Sequence, residues 1–99
     1  MSLTAMEKRA TKRELQENFE LSGLSVAQAA ADLQTTPTYL QRVLDLNVRH
    51  IEDPWIVRNY LNQVLRQQHQ TPIAYSRLIG SPAEYWFLNE ARVTRGQLN

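Results

Sequence analysis

The sequence contains no cysteine, only three glycines and only two histidines. The absence of cysteine excludes a disulfide framework and thiolate metal sites. The glycines lie apart at positions 23, 80 and 96, so the chain has no glycine-rich phosphate loop. No cysteine or paired carboxylate accompanies either histidine at metal-ligand spacing, and no serine lies in a G-x-S-x-G motif. We therefore expect no enzyme activity, no metal, no cofactor and no small-molecule ligand.

Long apolar runs and a strong excess of charge are also missing. No stretch approaches the roughly 20 apolar residues of a membrane span, and the polar start, MSLTAMEKRATKRE, lacks the apolar stretch of a signal peptide. We therefore expect a cytoplasmic protein without membrane contact. With 42% hydrophobic and 21% charged residues, the chain is typical of one soluble domain spanning residues 1–99.

The most informative segment is LSVAQAAADLQTTPTYLQRVL, residues 24–44. Val26, Ala29, Ala30 and Leu33 fall at i, i+3, i+4 and i+7, which predicts a short helix with one apolar stripe. Leu40, Val43 and Leu44 repeat the helical spacing after a turn. The small alanines allow a second helix to cross closely over the first.

Capping residues define both helices. Ser25 predicts an N-cap, with Gln28 as its partner in a capping box, so the first helix should begin at Val26. Thr36 predicts the cap of the second helix, and Pro37 occupies its first position, where a missing N–H costs nothing. The turn between them, residues 34–36, has the length that a helix-turn-helix requires.

The segment resembles the phage-repressor type of helix-turn-helix. The matching positions are Leu24, Ser25, Ala30, Thr36, Leu40 and Val43. Gln34 departs from that pattern, because the turn residue is normally a glycine with positive φ, and this conformation costs another residue on the order of 1 kcal/mol. We therefore expect the turn to differ in detail.

Three further motifs extend the resemblance over nearly the whole chain. They are ENFELSGLS at 17–25, EDPWIVRNYL at 52–61 and YWFLN at 85–89. Together with the length, they resemble a small bacterial family known as domain of unknown function 2316. The resemblance implies a compact helical protein with a repressor-like helix-turn-helix, and it implies no known ligand or reaction.

The rest of the chain also favours helices. A first helix is predicted from Thr4 to about Leu21, stopped by Gly23. Each of the four prolines follows a residue that can cap a helix, which predicts helices at 53–68, at 71–79 and from 81. Residues 85–88 fit a helix or a strand, with helix preferred, and the last ten residues either fray or pack as a tail. The prediction is an all-α compact bundle of about five or six helices, with a helix-turn-helix core at 4–46 and a helical half at 53–99.

The leading functional interpretation is a sequence-specific DNA-binding protein, a transcriptional regulator with the helix at 37–45 in the major groove of double-stranded DNA. Outward side chains of that helix can read bases or sugars: Gln41 an adenine, Arg42 a guanine or a phosphate, and Tyr39 a sugar or a thymine methyl. The predicted DNA-binding residues are Ser25, Gln28, Thr36, Thr38, Tyr39, Gln41, Arg42 and Arg49.

Three features leave alternatives open. The net charge of +1 is low for a DNA binder, and together with Gln34 in the turn it favours a helical protein–protein interaction module instead. The basic cluster of Lys8, Arg9, Lys12 and Arg13 either contacts phosphates or is a solvated helix face with glutamates as counter-charges. The aromatic group of Trp55 and residues 85–87 is assigned to the core, and any part left exposed would close a homodimer.

Overall fold

The computed structural model of the chain describes residues 5–48, 52–75 and 98. These residues form four helices: α1 (Ala5–Ser22), α2 (Val26–Asp32), α3 (Pro37–Leu44) and α4 (Asp53–Gln67). They contain no strand, which confirms the all-α class. None of the described helices is long and apolar enough to cross a membrane. The helix expected from residue 81, the helix-or-strand alternative at 85–88 and the cap at Thr4 lie outside the described residues.

All four helices contribute to one apolar core. α1 packs against α3 and α4, α2 packs against α3, and α3 also packs against α4. Leu15 of α1, Ala30 of α2, Leu40 of α3 and Ile56 of α4 are each at most 1% exposed within the same cluster. Burying a side chain as large as leucine contributes about 1.5–3 kcal/mol. The apolar stripes found in the sequence are therefore the surfaces that hold the helices together.

Each helix ends at a residue with positive φ. Gly23 follows α1 as predicted, at φ 72°, whereas Gln34, Leu46 and His69 follow the other helices at φ 55°, 58° and 60°. After α2, the Thr35 amide donates to Ala30 O at 2.9 Å and the Gln34 amide to Ala31 O at 3.2 Å. This pair of bonds is a Schellman ending. The expectation that the turn would differ because it lacks glycine is wrong, since Gln34 adopts the conformation that glycine usually supplies.

The helix N-termini follow the predicted caps at α2 and α3 and depart from them at α4. Ser25 Oγ accepts from the Gln28 amide at 3.1 Å, and Thr36 Oγ1 accepts from the Tyr39 amide at 3.1 Å. The reciprocal half of the predicted capping box is wrong, because the Gln28 side chain donates to Asp32 Oδ1 at 3.0 Å instead. Asp53 is the first residue of α4 rather than its cap, because its carboxylate accepts a tertiary hydrogen bond.

The segment after α4 is not helical in residues 70–75, so the helix predicted from residue 71 is wrong over that part. Asn18, fully buried on α1, donates to Ile73 O at 3.0 Å and accepts from the Ile73 amide at 2.7 Å. Gln68 and Gln70 donate to the carbonyls of Ser22 and Leu21 at 2.8 and 3.2 Å. The Asn18 bonds satisfy the backbone of Ile73 without a helix, and the two glutamine bonds satisfy carbonyls at the C-terminal end of α1.

Leu98 returns to the helix pair α2 and α3. Its amide donates to Leu33 O at 3.0 Å, at the C-terminus of α2, and its side chain is 3% exposed within the core. Of the two alternatives for the tail, the packed one therefore applies at this residue. The bond also satisfies a carbonyl that the end of α2 leaves without a helical partner.

Candidate functional site

The candidate site is built on α2, α3 and the residues that connect them. Ala29 and Ala30 of α2 are each 1% exposed, and they belong to the same cluster as Leu40 and Val43 of α3. Their single methyl groups allow α2 and α3 to approach closely, whereas larger side chains would hold them apart. The two helices therefore turn their apolar sides inward and leave a polar side of α3 in solvent.

Three of the four α3 side chains expected to face outward do so. Thr38, Gln41 and Arg42 are exposed, and so is Thr36 at the cap. They lie on the side of α3 away from Leu40 and Val43, as the helical spacing of the apolar residues requires. An exposed row of a hydroxyl, an amide and a guanidinium can donate and accept hydrogen bonds to an external polar surface.

Tyr39 is the exception, and its predicted outward orientation is wrong. Its side chain is 3% exposed, and its hydroxyl donates to Asp53 Oδ2 of α4. The sequence carried a signal for this burial, because Tyr39 lies four positions before Val43 and so extends the apolar stripe by one turn. A side chain held between α3 and α4 cannot stack on a DNA sugar or touch a thymine methyl.

Arg42 lies over the buried tyrosine. Its guanidinium carbon is 5.7 Å from the centroid of the Tyr39 ring, within the range of a cation–π contact. Within residues 5–48 and 52–75, no carboxylate forms an ion pair with this guanidinium. The charge of Arg42 thus stays available to an external anion, while its side chain rests on the edge of the core.

The C-terminal end of α3 carries a negative charge. Asp45 Oδ1 accepts from Gln16 Nε2 of α1 at 2.9 Å and, weakly, from Gln41 Nε2 at 3.5 Å. With Asp32, the stretch from α2 through Asp45 has two carboxylates against the single guanidinium of Arg42. An open groove of about 340 Å³ lies between this end of α3 and α1, and Phe19 and Glu20 line it on the α1 side. Among the described residues, this surface carries charges of both signs.

The basic cluster of α1 leads toward the same end of α3. Lys8, Arg9, Lys12 and Arg13 are all exposed. Lys12 is one helical turn from Gln16, which also donates to Leu44 O at 3.3 Å, so the row from Lys8 to Lys12 approaches α3. Within this cluster, Arg13 forms an ion pair with Glu17 at 3.3 Å. The cluster is therefore partly a solvated, paired helix face and partly a row of uncommitted charge.

The remaining predicted residues lie at the start of α2 or outside the described part. Ser25 and Gln28 are exposed. Ser25 Oγ accepts from the Gln28 amide, and the Gln28 side chain donates to Asp32. Their polar groups are thus partly used within α2. Arg49 lies outside the described residues. No group of three or more potential metal ligands occurs within residues 5–48, 52–75 and 98.

One polar link between α2 and α4 was not anticipated from the sequence. Tyr60 of α4 donates its hydroxyl to Asp32 Oδ2 at 2.5 Å. Burial raises the pKa of Tyr60 above its usual range, and the hydrogen bond and negative charge of Asp32 raise it further. Both Asp32 and Asp53 therefore receive a tyrosine hydroxyl, and each pair ties the α2–α3 unit to α4. No short-range pattern indicates such pairs, because their members are 28 and 14 residues apart.

Comparison with known proteins gives one match. The model of a family described as "Uncharacterized protein conserved in bacteria (DUF2316)" matches residues 1–89. No curated protein and no solved structure matches the chain.

Proposed function

This chain belongs to the bacterial family DUF2316, and on that premise we propose that it is a sequence-specific DNA-binding protein that regulates transcription. In this proposal α2 and α3 act as a helix-turn-helix of the phage-repressor type, with α3 in the major groove of double-stranded DNA. The alternative is a helical module that binds another protein.

One observation carries the proposal: two short, capped helices are joined by a tight turn and meet through alanines. α2 has seven residues, α3 has eight, and Ala29 and Ala30 lie buried in the cluster they share with α3. A helix-turn-helix needs such a close contact to hold its two helices at a fixed crossing angle. The exposed polar side of α3 is then the surface that reaches base edges.

The base-reading roles fall to the exposed residues of α3. Arg42 is suited to bidentate donation to guanine O6 and N7, and Gln41 to adenine N6 and N7. Thr38 can bond to more than one base, and the hydroxyl of Thr36 can donate to a phosphate. With Tyr39 buried, only Thr38, Gln41 and Arg42 remain for direct readout within the described part of α3.

Phosphate contacts would come from the ends of the site. Ser25 and Gln28 at the start of α2 are candidates, and Arg49 stays a prediction from the sequence. The row of Lys8 and Lys12 on α1 adds positive charge to that of Arg42, the one cation of α3. Since nonspecific affinity depends on neutralised phosphates, the α1 row has to compensate for Asp32 and Asp45 if the protein binds DNA.

The proposal includes a homodimer. Three base-reading side chains on one short helix specify only a few base pairs, so repressor-type proteins commonly pair two copies over two half-sites. A two-fold symmetric dimer would place the two α3 helices one DNA turn apart, roughly 34–36 Å. The measurement is the mass of the protein–DNA complex on duplexes that carry one or two half-sites.

A second candidate function rests on the charge of the site. The stretch from α2 through Asp45 has more carboxylates than cations, which opposes the approach of DNA and suits a protein surface with lysines or arginines. In that case the groove between α1 and α3 would belong to the interface. Under this alternative, the chain would bind its protein partner in the absence of DNA, and added duplex DNA would not displace that partner.

The experiment that tests the proposal compares two arginine variants by gel shift. Arg42→Ala should weaken binding to a selected duplex by roughly 1–3 kcal/mol, the value of a bidentate arginine–guanine contact. Arg66→Ala is the matched control, because Arg66 is also exposed but lies in the last turn of α4. Equal weakening by both variants, or by neither, would remove Arg42 from the DNA interface.

A further inference from the structure

We infer that Asp53 and Tyr39 are positioning residues that hold the Arg42 guanidinium in place on the surface of α3. The part of this inference that concerns DNA rests on the proposed function. The part that concerns the orientation of Arg42 does not, and it is tested separately below.

The inner half of the arrangement is a buried hydrogen bond between two helices. Asp53 is 0% exposed at the start of α4, and it accepts the hydroxyl proton of Tyr39, which is 3% exposed on α3. A carboxylate in the first turn of a helix is stabilised by the N-terminal end of the helix dipole. A hydrogen bond to an ionised acceptor is stronger and more directional than one between neutral groups. The bond therefore fixes the ring of Tyr39 relative to both helices.

The outer half is the contact between the ring and the arginine. Arg42 follows Tyr39 by three positions, so both project from the same side of α3, and the guanidinium carbon lies 5.7 Å from the ring centroid. A planar guanidinium that rests on an aromatic face loses part of its rotational freedom before it meets a ligand. A group that is already ordered loses less entropy when it binds. The ring thus presents Arg42 in a restricted orientation.

This arrangement accounts for an unexpected feature of the site. Beneath the exposed Arg42, α3 carries a large aromatic residue that is buried and not itself available to DNA, and that residue is tied to a carboxylate buried on another helix. A leucine at position 39 would also fill the core, and it would need no buried hydrogen-bond acceptor. A tyrosine with its hydroxyl on Asp53 provides something leucine cannot, which is an oriented aromatic face below the single cation of α3.

The test begins with Arg42 itself, observed by NMR without DNA. In the wild type, ring currents should shift the Arg42 Hδ and Hε resonances upfield, and the Nε–Hε group should have restricted motion. Tyr39→Leu should abolish the shift and the restriction. Tyr39→Phe and Asp53→Asn keep the size of each side chain, and they should leave a smaller shift with greater motion. Val43→Ala is the control, because Val43 is a fully buried neighbour on α3 whose truncation lowers stability without removing the ring.

The result that would overturn the inference is also defined by these variants. Unchanged Arg42 resonances in Tyr39→Leu, or an equal change in Val43→Ala, would show that the ring does not position the arginine. If Tyr39→Leu does not fold, Tyr39→Phe and Asp53→Asn decide the same question, and wild-type motion of Arg42 in both overturns it.

A double-mutant cycle then connects the arrangement to DNA. Tyr39→Leu should weaken duplex binding about two- to fivefold, the range of an exposed cation–π contact expressed as affinity. In an Arg42→Ala background the same change should have no further effect, because Tyr39 acts through Arg42. Additive losses would contradict the positioning role. If the wild type binds no DNA, the proposed function fails while the NMR result still decides the orientation of Arg42.

Discussion

Replacing Gln34 with glycine should stabilise the protein, although glycine usually weakens a fold. Gln34 has a φ of 55° and an exposed side chain, so the substitution removes no packing. A side chain with a Cβ pays about 1–2 kcal/mol in the left-handed conformation. Glycine avoids that cost but increases the entropy of the unfolded chain by the equivalent of about 0.4–1 kcal/mol. The difference leaves a net gain of about 0.5–1 kcal/mol.

The assay is thermal unfolding followed by circular dichroism, with urea unfolding for the free energy. A gain of that size raises the melting temperature of a domain this small by roughly 2–8 °C. Ala31→Gly is the matched control, because Ala31 is exposed inside α2, where glycine costs about 1 kcal/mol. Opposite signs for the two variants are expected. If Gln34→Gly destabilises the protein as much as Ala31→Gly does, the left-handed turn after α2 is wrong.

Three further outcomes test the packing, the segment after α4 and the pH dependence. Ala30→Leu should overpack the contact between α2 and α3 and lower the free energy of unfolding by roughly 1–3 kcal/mol, and a wild-type melting temperature would refute the close approach. Asn18→Ala should lower the free energy of unfolding by about 1–3 kcal/mol and expose the Ile73 amide to rapid hydrogen exchange, whereas a protected Ile73 amide would contradict the hydrogen bonds between Asn18 and Ile73. Burial raises the pKa of both Tyr60 and Tyr75 from 10.0, so their contribution to stability is fully present below pH 10 and is lost as the pH rises above it. The urea midpoint of the wild type should fall above pH 10, and that of Tyr60→Phe should fall less steeply. An equal fall in the variant would show that the Tyr60 hydrogen bond does not contribute to this pH dependence of stability.

Local signals in the sequence predicted most of the helix boundaries. Ser25 and Thr36 cap the helices they were expected to cap, and Gly23 ends α1 with positive φ. These features depend on a residue and its neighbours within one turn, so they can be recognised from a short stretch of sequence. Gln34 shows the limit of that approach, since the Schellman bonds and the packing of α2 impose a conformation that glutamine alone disfavours.

Tertiary hydrogen bonds account for what could not be predicted. Asp53 precedes a proline and has the local pattern of a cap, but its carboxylate is used by Tyr39 from another helix. Residues 70–75 have a plausible helical start, but Asn18 satisfies the backbone of Ile73 from α1. In both cases a partner far away in sequence competes with the local preference and prevails.

The exposure of the α3 side chains was predicted better than the charge around them. The exposure of Thr38, Gln41 and Arg42 followed from the apolar stripe of α3. The balance between Arg42 and the carboxylates Asp32 and Asp45 depends on which side chains share a surface, and the sequence alone gives only their order along the chain.

The most direct test of DNA binding is the salt dependence of affinity for mixed-sequence duplex DNA, measured by fluorescence anisotropy on the wild-type protein. If the exposed cations of α1 and α3 neutralise four phosphates, log K should fall against log salt with a slope of roughly −3.6. Lys8→Gln combined with Lys12→Gln should reduce that slope by roughly 1.8, since it removes two of those contacts. A wild-type protein that shows no binding even at the lowest salt would contradict the account, because every groove reader has at least nonspecific attraction to phosphate.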